Sequence, residues 1–290
     1  MCRNPDHLLT SKDSFTAYVK MTGKPWRKIT CADVNGRAVY QGCIILGKTE
    51  VLKAAAAAFE KLLKEHPGLL TDARMELQGP AIAGKQYRWK DGIIPYYLPG
   101  DFPAPERVHK AIDHWHTHTR IRFVRQTSEP DYVVFSVSDA GCASAIGRRS
   151  DAQDVLLGAD CGVGNIIHEL GHTVGLWHEQ AREDRDRFVE VLWDNIDQDN
   201  WFNYEQNVED FDDFGPPYDF GSIMHYTLTS FRKDGVTDQP TMRVRTPLPP
   251  GVSAPDPAVI GQRIGLSAGD VQTVAALYPN LPERPWQKLA

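Results

Sequence analysis

The order of segment types along the chain predicts an α+β fold. Three segments rich in β-branched or other apolar residues, 121–124, 132–137 and 155–157, precede a helix predicted over 162–174. Largely irregular chain follows that helix and leads to a final helix predicted over 267–277, with a serine at its N-cap. Because strands come first and irregular chain second, we expect a domain of two halves with a cleft between them.

The clearest local pattern belongs to the N-terminal part of the chain. Residues 1–48 show little helical periodicity, whereas residues 49–65 contain a run of five alanines, the best helix formers, with Thr49 as a candidate N-cap. This segment contains both lysines and glutamates, which argues against a membrane-binding helix and favours a helix that packs on a neighbouring surface. The helix ends at 66–68, and the stretch 67–86, which contains proline and glycine, is predicted to be a linker. Apolar residues recur at helical spacing at Val51, Ala55, Phe59 and Leu62.

A histidine-rich stretch that begins at His168 carries the residues best suited to metal chemistry, and it reads HELGHTVGLWHEQAREDRD. His168 and His172 are four residues apart, so on a helix they project from one face and can share one metal ion. Gly175 can end the helix in a left-handed conformation, which lets the chain turn back and bring His178 as a third ligand. Three protein ligands leave one zinc position for water, as in catalytic sites, and Glu169 then lies beside the metal.

This stretch resembles the zinc motif of the metzincin clan, and its continuation resembles the HExxRxDRD extension of the astacin family. Residues 222–226, SIMHY, match the SxMHY Met-turn of the same family. The resemblance implies an astacin-like metalloendopeptidase domain with one catalytic zinc ion over residues 81–290, with a twisted mixed sheet and the zinc helix in its first half. Residues 1–80 would then be a small helical prosegment that keeps the enzyme latent.

From residue 87 onward, the chain resembles the start of an astacin catalytic domain. Residues 89–96 match a turn followed by the first strand, and residues 105–119 match the first helix. In this clan the strand at 155–157 borders the cleft, and a substrate pairs with it as an added strand. His114 and His118 are also four residues apart, but no third ligand or acidic motif accompanies them, so we expect surface histidines.

The resemblance also implies roles for the residues around the zinc. Zinc lowers the pKa of its bound water towards about 7, and Glu169 would accept the proton and pass it to the leaving amine. Tyr226 matches the tyrosine that can bind zinc as a fifth ligand and then move to the oxyanion. Met224 is expected to pack beneath the site, because a thioether is a poor zinc ligand. Glu179 matches the residue that pairs with the freed N-terminus of the mature enzyme.

Cysteine usage favours an oxidising compartment. The chain has five cysteines, an odd count that leaves at least one unpaired within the chain. Cys142 and Cys161 flank a stretch that resembles the astacin loop closed by a disulfide, so the resemblance implies their pairing. Arg120 stands where the family has a cysteine of its other disulfide.

Latency is expected to depend on a further cysteine. Astacin prosegments carry an FxGD motif whose aspartate binds the zinc, and the nearest match here is residues 40–43, YQGC. Cys43 therefore replaces the aspartate, and thiolate is a strong zinc ligand. Gly42 would let the backbone approach the cleft closely. We predict that Cys43 holds zinc in the uncut chain and that cleavage within 65–86 frees the site.

Other pairings of the N-terminal cysteines stay open at this point. Cys31 and Cys2 compete with Cys43 for the role of switch. A disulfide between Cys31 and Cys43 is the structural alternative, and it would leave no thiol there for the zinc.

Two arginines after the Met-turn are candidate specificity residues. Residues 240–245, PTMRVR, resemble the segment that lines the S1′ pocket in astacins, and a meprin-like relative places arginine where Arg245 falls. A guanidinium from Arg245 or Arg243 would pair with aspartate or glutamate just after the scissile bond. The alternative is that both are solvated strand residues.

Composition restricts the partners. A net charge of −6 gives no reason to expect nucleic acid binding, and no apolar run approaches the ~18 residues that span a bilayer. We expect a monomer that acts on proteins or peptides outside the cell, although residues 1–10 contain no apolar segment of the signal-peptide kind. Two other functions stay open, a catalytically silent zinc-stabilised binding module and a zinc hydrolase of non-peptide amides. The intact Glu169 and Tyr226 argue against the silent module.

Overall fold

The structure is a computed structural model that describes residues 7–20, 26–68, 85–206, 217–236 and 239–282. Described residues up to 68 are called the N-terminal segment, and those from 85 onward are called the main domain. The strands are β1 (Ser14–Lys20), β2 (Trp26–Val34), β3 (Arg37–Tyr40), β4 (Ile44–Lys48), β5 (Ile93–Tyr97), β6 (Arg122–Arg125), β7 (Tyr132–Val137), β8 (Ala143–Ser144), β9 (Ala152–Leu157), β10 (Val189–Val191) and β11 (Met242–Val244).

The predicted helices are present, and short 3-10 turns supply much of the irregular half. None of the described helices combines the length and the apolar composition needed to cross a bilayer. At the start of the last helix, Ser267 accepts a hydrogen bond from the Asp270 N–H at 2.9 Å, which confirms the predicted N-cap. The α-helices are α1 (Thr49–Glu65), α2 (Glu106–His118), α3 (Val163–Val174) and α4 (Ala268–Leu277).

One mixed sheet of nine strands joins the N-terminal segment to the main domain. Its strand order is β1-β2-β3-β4-β8-β9-β7-β5-β6. Strands β1 to β4 form an antiparallel meander, whereas β5, β6, β7 and β9 run parallel to one another. The two parts meet where β4 runs parallel to β8, with Ile44 opposite Ser144. The N-terminal segment therefore extends the sheet of the main domain.

Two expectations about the sheet need correction. The N-terminal segment is not a small helical unit, because it contains four strands in addition to the predicted helix. Its strands β3 and β4 are short and mostly buried, so they lack the clear alternation that marks a half-exposed strand. The strand at 155–157 does not border the cleft either, because β9 is paired on both sides, with β7 and with β8.

Helix α1 packs on the meander with a different face from the predicted one. Its buried apolar residues are Leu52, Ala56 and Phe59, while the side chain of Val51 is 57% exposed. The ring of Phe59 lies 4.7 Å from the rings of both Tyr18 and Trp26, and these contacts fix the rotation of the helix. A sequence pattern with several small apolar residues leaves that rotation open.

The N-terminus of α1 also differs from the prediction. The helix begins at Thr49, but no side chain caps it. The hydroxyl of Thr49 donates to Oδ1 of Asp33 at 2.9 Å, so it connects α1 to the end of β2. The predicted end is confirmed, because α1 stops at Glu65 and His66 is its C-cap.

Separate apolar cores fill the two halves of the main domain. One combines residues of the sheet, α2 and α3, among them Trp115, Phe135 and Ile167. The other lies in the irregular half and includes Met242, and Cys43 of the N-terminal segment is one of its members. Burying a large apolar side chain contributes about 1.5–3 kcal/mol, so the N-terminal segment adds stability to the irregular half.

Candidate metal centre

Helix α3 and the turn after it bring three imidazoles together. His168 and His172 project from one face of α3, and their Nδ1 atoms lie 2.8 Å from the carbonyl oxygens of Ile223 and Leu176. His178 follows the turn, and its Nε2 lies 3.2 Å from Nε2 of His172. The described Nδ1 contacts leave the Nε2 atoms facing one point.

Gly175 makes the turn possible. It ends α3 with φ +123°, a conformation that other residues rarely adopt, and its N–H donates to the carbonyl oxygens of Gly171 and His172. This confirms the predicted end of the helix. The chain then reverses within three residues, which is how His178 reaches the other two histidines.

The thiol of Cys43 completes the cluster. Its Sγ lies 3.5, 3.3 and 3.1 Å from the Nε2 atoms of His168, His172 and His178. Within the part of the chain that the structure describes, these four residues are the only group of three or more potential ligands whose ligating atoms all approach within 4.8 Å. His114 and His118 belong to no such group, and Nε2 of His114 accepts the N–H of Leu266 at 3.0 Å.

The chemistry of this donor set fits a zinc ion. Burial lowers the pKa of His172 to about 4 and lowers the pKa values of His168 and His178 well below their ordinary value, so the imidazoles are neutral near pH 7. A neutral imidazole with its proton on Nδ1 offers the Nε2 lone pair to a metal. Imidazole nitrogen and thiolate sulfur are both typical zinc ligands, and four of them match the tetrahedral coordination that zinc prefers.

A tight turn before β4 delivers the thiol. Gln41 and Gly42 both have positive φ, +46° and +71°, and the Cys43 N–H donates to the Gln41 carbonyl at 2.9 Å. A Cβ on Gly42 would lie 2.6 Å from the ring of Phe231, so only glycine fits. The carbonyl of Cys43 accepts the Ser144 N–H at 2.9 Å, which attaches the turn to β8.

Cys31 and Cys43 are both free thiols, so the alternative of a disulfide between them is wrong. Cys31 is buried, and burial raises the pKa of its thiol to about 12. Cys2 lies outside the described residues, as do residues 69–84, which make up most of the predicted linker. Of the described thiols, Cys43 is thus the one that meets the histidines.

Glu169 is buried beside the ligands, and its carboxylate has a partner that no motif identifies. Oε2 of Glu169 accepts a hydrogen bond from the hydroxyl of Ser144 at 2.9 Å. Burial raises the pKa of Glu169 to about 8, and the Ser144 hydrogen bond opposes that rise. The sequence gives only a weak signal for this role of Ser144, which is the single polar residue in the otherwise apolar stretch 143–146.

Tyr226 is fully buried, and its ring centroid lies 4.8 Å from that of His178. Its phenol donates to the backbone carbonyl of Gln41 at 2.7 Å. The amide oxygen of Gln41 lies 3.2 Å from Nδ1 of His178. Gln41 stands at the variable position of the YQGC match, so the motif assigned it no role, and the structure adds it to the site.

Met224 and Glu179 occupy the surroundings of the ligands. A Cβ on Gly171 of α3 would lie 2.6 Å from the sulfur of Met224, so this thioether packs directly against the helix. Oε1 of Glu179 accepts the Asp219 N–H at 2.9 Å and lies 3.4 Å from Nη1 of Arg182. Burial raises the pKa of Glu179 to about 8 despite the nearby guanidinium.

The two candidate specificity residues are exposed and lie on or after β11. Nε and Nη2 of Arg243 both lie 2.9 Å from Oε2 of Glu190 on the neighbouring strand β10. The backbone N–H of Arg245 donates to the carbonyl of Phe188 at 2.8 Å. Neither side chain belongs to the metal cluster, and their role in specificity stays a prediction.

Cys142 and Cys161 form a disulfide, as predicted from the resemblance. At the position of the missing second disulfide, Nη1 of Arg120 donates to the carbonyl oxygen of Leu281 at 2.8 Å. A guanidinium therefore connects the end of α2 to the C-terminal tail without a covalent bond.

Comparison with known proteins places the main domain in a family. The model of the Astacin peptidase family matches residues 81–279. The chain is 38% identical over 197 residues to bone morphogenetic protein 1 of Xenopus laevis, an alignment covering 66% of this chain and 27% of that protein. It is 37% identical over 209 residues to zinc metalloproteinase nas-39 of Caenorhabditis elegans, an alignment covering 68% of this chain and 21% of that protein. The chain thus spans roughly a quarter of the length of these relatives.

A solved structure shows the same similarity. High choriolytic enzyme 1, a hatching enzyme zinc protease from Oryzias latipes, superposes with a TM-score of 0.57 at 31% sequence identity. The superposition covers 66% of this chain and 92% of that one. The α+β fold expected from the order of segments is confirmed by this likeness.

Proposed function

The chain belongs to the astacin family of zinc metalloendopeptidases, and from this premise we propose that it hydrolyses peptide bonds in proteins after release from a latent form. Residues 1–80 are proposed to be the prosegment and residues 81–290 the catalytic domain. Three histidines, His168, His172 and His178, would hold the zinc, and Cys43 would be its fourth ligand in the uncut chain.

One observation carries this proposal. The sulfur of Cys43 lies within 3.5 Å of three buried imidazole nitrogens, although at least 125 residues of sequence separate it from each of them. A thiol among three neutral imidazoles offers four zinc-binding atoms at one point, and contact with zinc would deprotonate the thiol. With four protein ligands in place, no coordination position is left for water.

The neighbouring strands support a second form of blockage. In a mature enzyme the edge of β8 would be open to a substrate running through the cleft, since an extended peptide can add to a sheet edge. In the uncut chain β4 is paired with β8 instead. The N-terminal segment also reaches the irregular half, where Nη2 of Arg27 donates to the carbonyl of Gln206 at 2.5 Å.

Removal of the N-terminal segment would complete the catalytic site. Bound zinc supplies an acidified water and polarises a carbonyl group. The carboxylate of Glu169, oriented by Ser144, would take a proton from water and pass it to the leaving amine. The phenol of Tyr226, no longer bound to the Gln41 carbonyl, would donate to the developing oxyanion and could reach the metal as a fifth ligand.

The remaining assignments follow the family. Glu179 is proposed to receive the new N-terminus after cleavage, since a buried carboxylate with a raised pKa gains from a second positive charge. The Cys142–Cys161 disulfide supports an oxidising, extracellular compartment. Protein or peptide substrates are the proposed partners of a monomeric enzyme.

Casein digestion tests the proposal directly. The uncut chain and the form cleaved within residues 65–86 are compared, each with and without a zinc chelator. Activity is expected only in the cleaved form without chelator. No digestion by the cleaved form would favour a silent binding module, and cleavage of small amides without casein digestion would favour the non-peptide hydrolase. Equal digestion by the uncut and cleaved forms would remove the latency from the proposal.

A further inference from the structure

The three metal-binding histidines obtain their second hydrogen bonds from different parts of the chain. The Nδ1 atoms of His168 and His172 each lie 2.8 Å from a backbone carbonyl oxygen of the main domain. The Nδ1 atom of His178 lies 3.2 Å from the side-chain oxygen of Gln41, which belongs to the N-terminal segment. Cleavage would therefore leave two of these acceptors in place and remove the third.

The amide of Gln41 can adopt only one orientation. The residue is fully buried, and its Nε2 donates to the carbonyl oxygen of Glu205 at 2.9 Å. Because a carbonyl oxygen can only accept, the nitrogen must face Glu205 and the oxygen must face His178. An oxygen at Nδ1 requires the proton of the neutral imidazole to lie there. Nε2 of His178 then carries the lone pair that a metal needs.

The backbone of Gln41 makes further contacts in the same site. Its carbonyl accepts the Tyr226 phenol at 2.7 Å and the Cys43 N–H at 2.9 Å. With φ at +46°, the side chain of Gln41 contacts His178 and Glu205, while its carbonyl contacts Tyr226 and Cys43. One buried residue thereby contacts a metal ligand, a candidate catalytic tyrosine and the backbone of the blocking cysteine.

We propose that Gln41 is a positioning residue of the metal centre in the uncut chain, holding His178 in the tautomer that binds zinc through Nε2. The inference rests on the assignment of the metal centre under the proposed function and deepens it. Losing the hydrogen-bond partner of a metal-bound histidine weakens metal binding by about 10–100-fold. The uncut chain therefore binds zinc more tightly than the cleaved form through two groups, the thiolate of Cys43 and the amide of Gln41.

The test measures the rate at which zinc passes from the uncut chain to an excess of a chromogenic chelator. Gln41→Met keeps the side-chain length but removes both amide contacts. The matched control is Arg37→Ala, which removes the 2.6 Å ion pair with Asp154 between the N-terminal segment and the main domain. Gln41→Met is expected to release zinc about 10–100-fold faster than the wild type, and Arg37→Ala at the wild-type rate.

The same proteins are then measured after cleavage and removal of the N-terminal segment. Residue 41 is now absent, so Gln41→Met and the wild type are expected to release zinc at equal rates. A difference that persists would mean that the main domain itself had changed, and it would overturn the inference. Equal release from the uncut Gln41→Met and wild-type chains, or equal acceleration in Arg37→Ala, would also overturn it.

The variant Cys43→Ala separates this inference from the proposed latency. If the thiol is the switch, Cys43→Ala digests casein without cleavage, and adding Gln41→Met accelerates its zinc loss further. If Cys43→Ala stays inactive in the uncut form, the thiol alone does not account for the latency, because β4 still covers the edge of β8. The zinc-release difference between Gln41→Met and the wild type still decides the role of Gln41 in that case.

Discussion

The main domain and the N-terminal segment contact one metal centre in opposite ways. The main domain contributes three imidazoles, and its own carbonyl groups orient two of them, His168 and His172. The N-terminal segment contributes the thiol of Cys43, the amide of Gln41 and a strand on the edge of β8. We therefore propose that the main domain builds the catalytic site and that the N-terminal segment blocks it before cleavage.

The cores of the two regions overlap only in part, so we expect the main domain to stay folded when the N-terminal segment is removed. Among the described residues, the core cluster that contains α3 has no member before Trp89. The N-terminal segment has an aromatic cluster of its own, formed by Tyr18, Trp26 and Phe59. Its removal would expose main-domain residues that pack against it, such as Phe231, Ile146 and Trp177, whereas the core around the zinc helix contains none of its described residues.

The largest expected effect concerns the main domain alone. Glu169→Gln in the cleaved form should lower casein hydrolysis by about 10²–10⁴-fold, because an amide cannot take the proton from water. Zinc content, measured by atomic absorption, should stay at the wild-type level. A variant that keeps more than about a hundredth of the activity would contradict the role of Glu169 as general base.

Removing the thiol of Cys43 should make the uncut chain active. Cys43→Ala without cleavage is expected to digest casein faster than the uncut wild type but more slowly than the cleaved form, because a coordination position opens for water while β4 still covers the edge of β8. Cys31→Ala is the matched control, since Cys31 is also a buried free thiol of the N-terminal segment. It should stay latent, and activation of both variants would indicate simple loosening of the segment.

Tyr226→Phe tests whether a residue shared by both regions has a catalytic role. In the cleaved form, loss of the phenol should lower kcat by about 10²-fold, at the low end of the range expected at Glu169. Zinc content is expected to be unchanged. If the variant loses its zinc instead, Tyr226 is an obligatory ligand rather than a donor to the oxyanion.

Ser144→Ala should give a smaller change in the cleaved form. A hydrogen bond to a charged group contributes about 1.5–3 kcal/mol. We expect the lower end of that range, a fall in kcat of about 10-fold with KM unchanged, because Ser144 acts on the reaction only through Glu169. Ser144→Thr keeps a hydroxyl and should recover part of the rate. A fall in Ser144→Ala that appears only in KM would assign the residue to substrate binding.

The smallest effect is expected at the exposed arginines, and it concerns preference rather than rate. Arg245→Ala should reduce the preference for aspartate or glutamate just after the scissile bond by about 10-fold on a peptide library. Arg243→Ala should change it less, because Arg243 is already paired with Glu190. Unchanged preference in both variants would rule out these residues as specificity determinants.

Most of what could be predicted from the sequence came from the spacing of residues that are close together in the chain. Two histidines four residues apart on a helix share a face whatever surrounds the helix, and a following glycine permits the turn towards His178. The Ser267 cap and the Cys142–Cys161 disulfide were equally predictable, the first from local hydrogen bonding and the second from family resemblance. Strands β6 and β7 were predictable for the same local reason.

Contacts across long stretches of sequence needed the tertiary structure. Cys43 was a candidate among several cysteines until its sulfur was found next to His178 and Cys31 was found as a free thiol. No motif assigned a role to Gln41, a variable position of the YQGC match, or to Ser144, because their importance comes from the residues that the fold places opposite them. The extension of the sheet by the N-terminal segment also depends on contacts between residues far apart in the sequence.

The sequence by itself determined the metal-binding chemistry, because ligand identity and helical spacing are local properties. Only the tertiary structure decided which residues of the N-terminal segment lie against the histidines, and therefore how we propose that this chemistry is blocked. The pairing of β4 with β8 and the burial of Cys43 and Gln41 depend on packing between regions roughly 100 residues or more apart, and no local pattern specifies such packing.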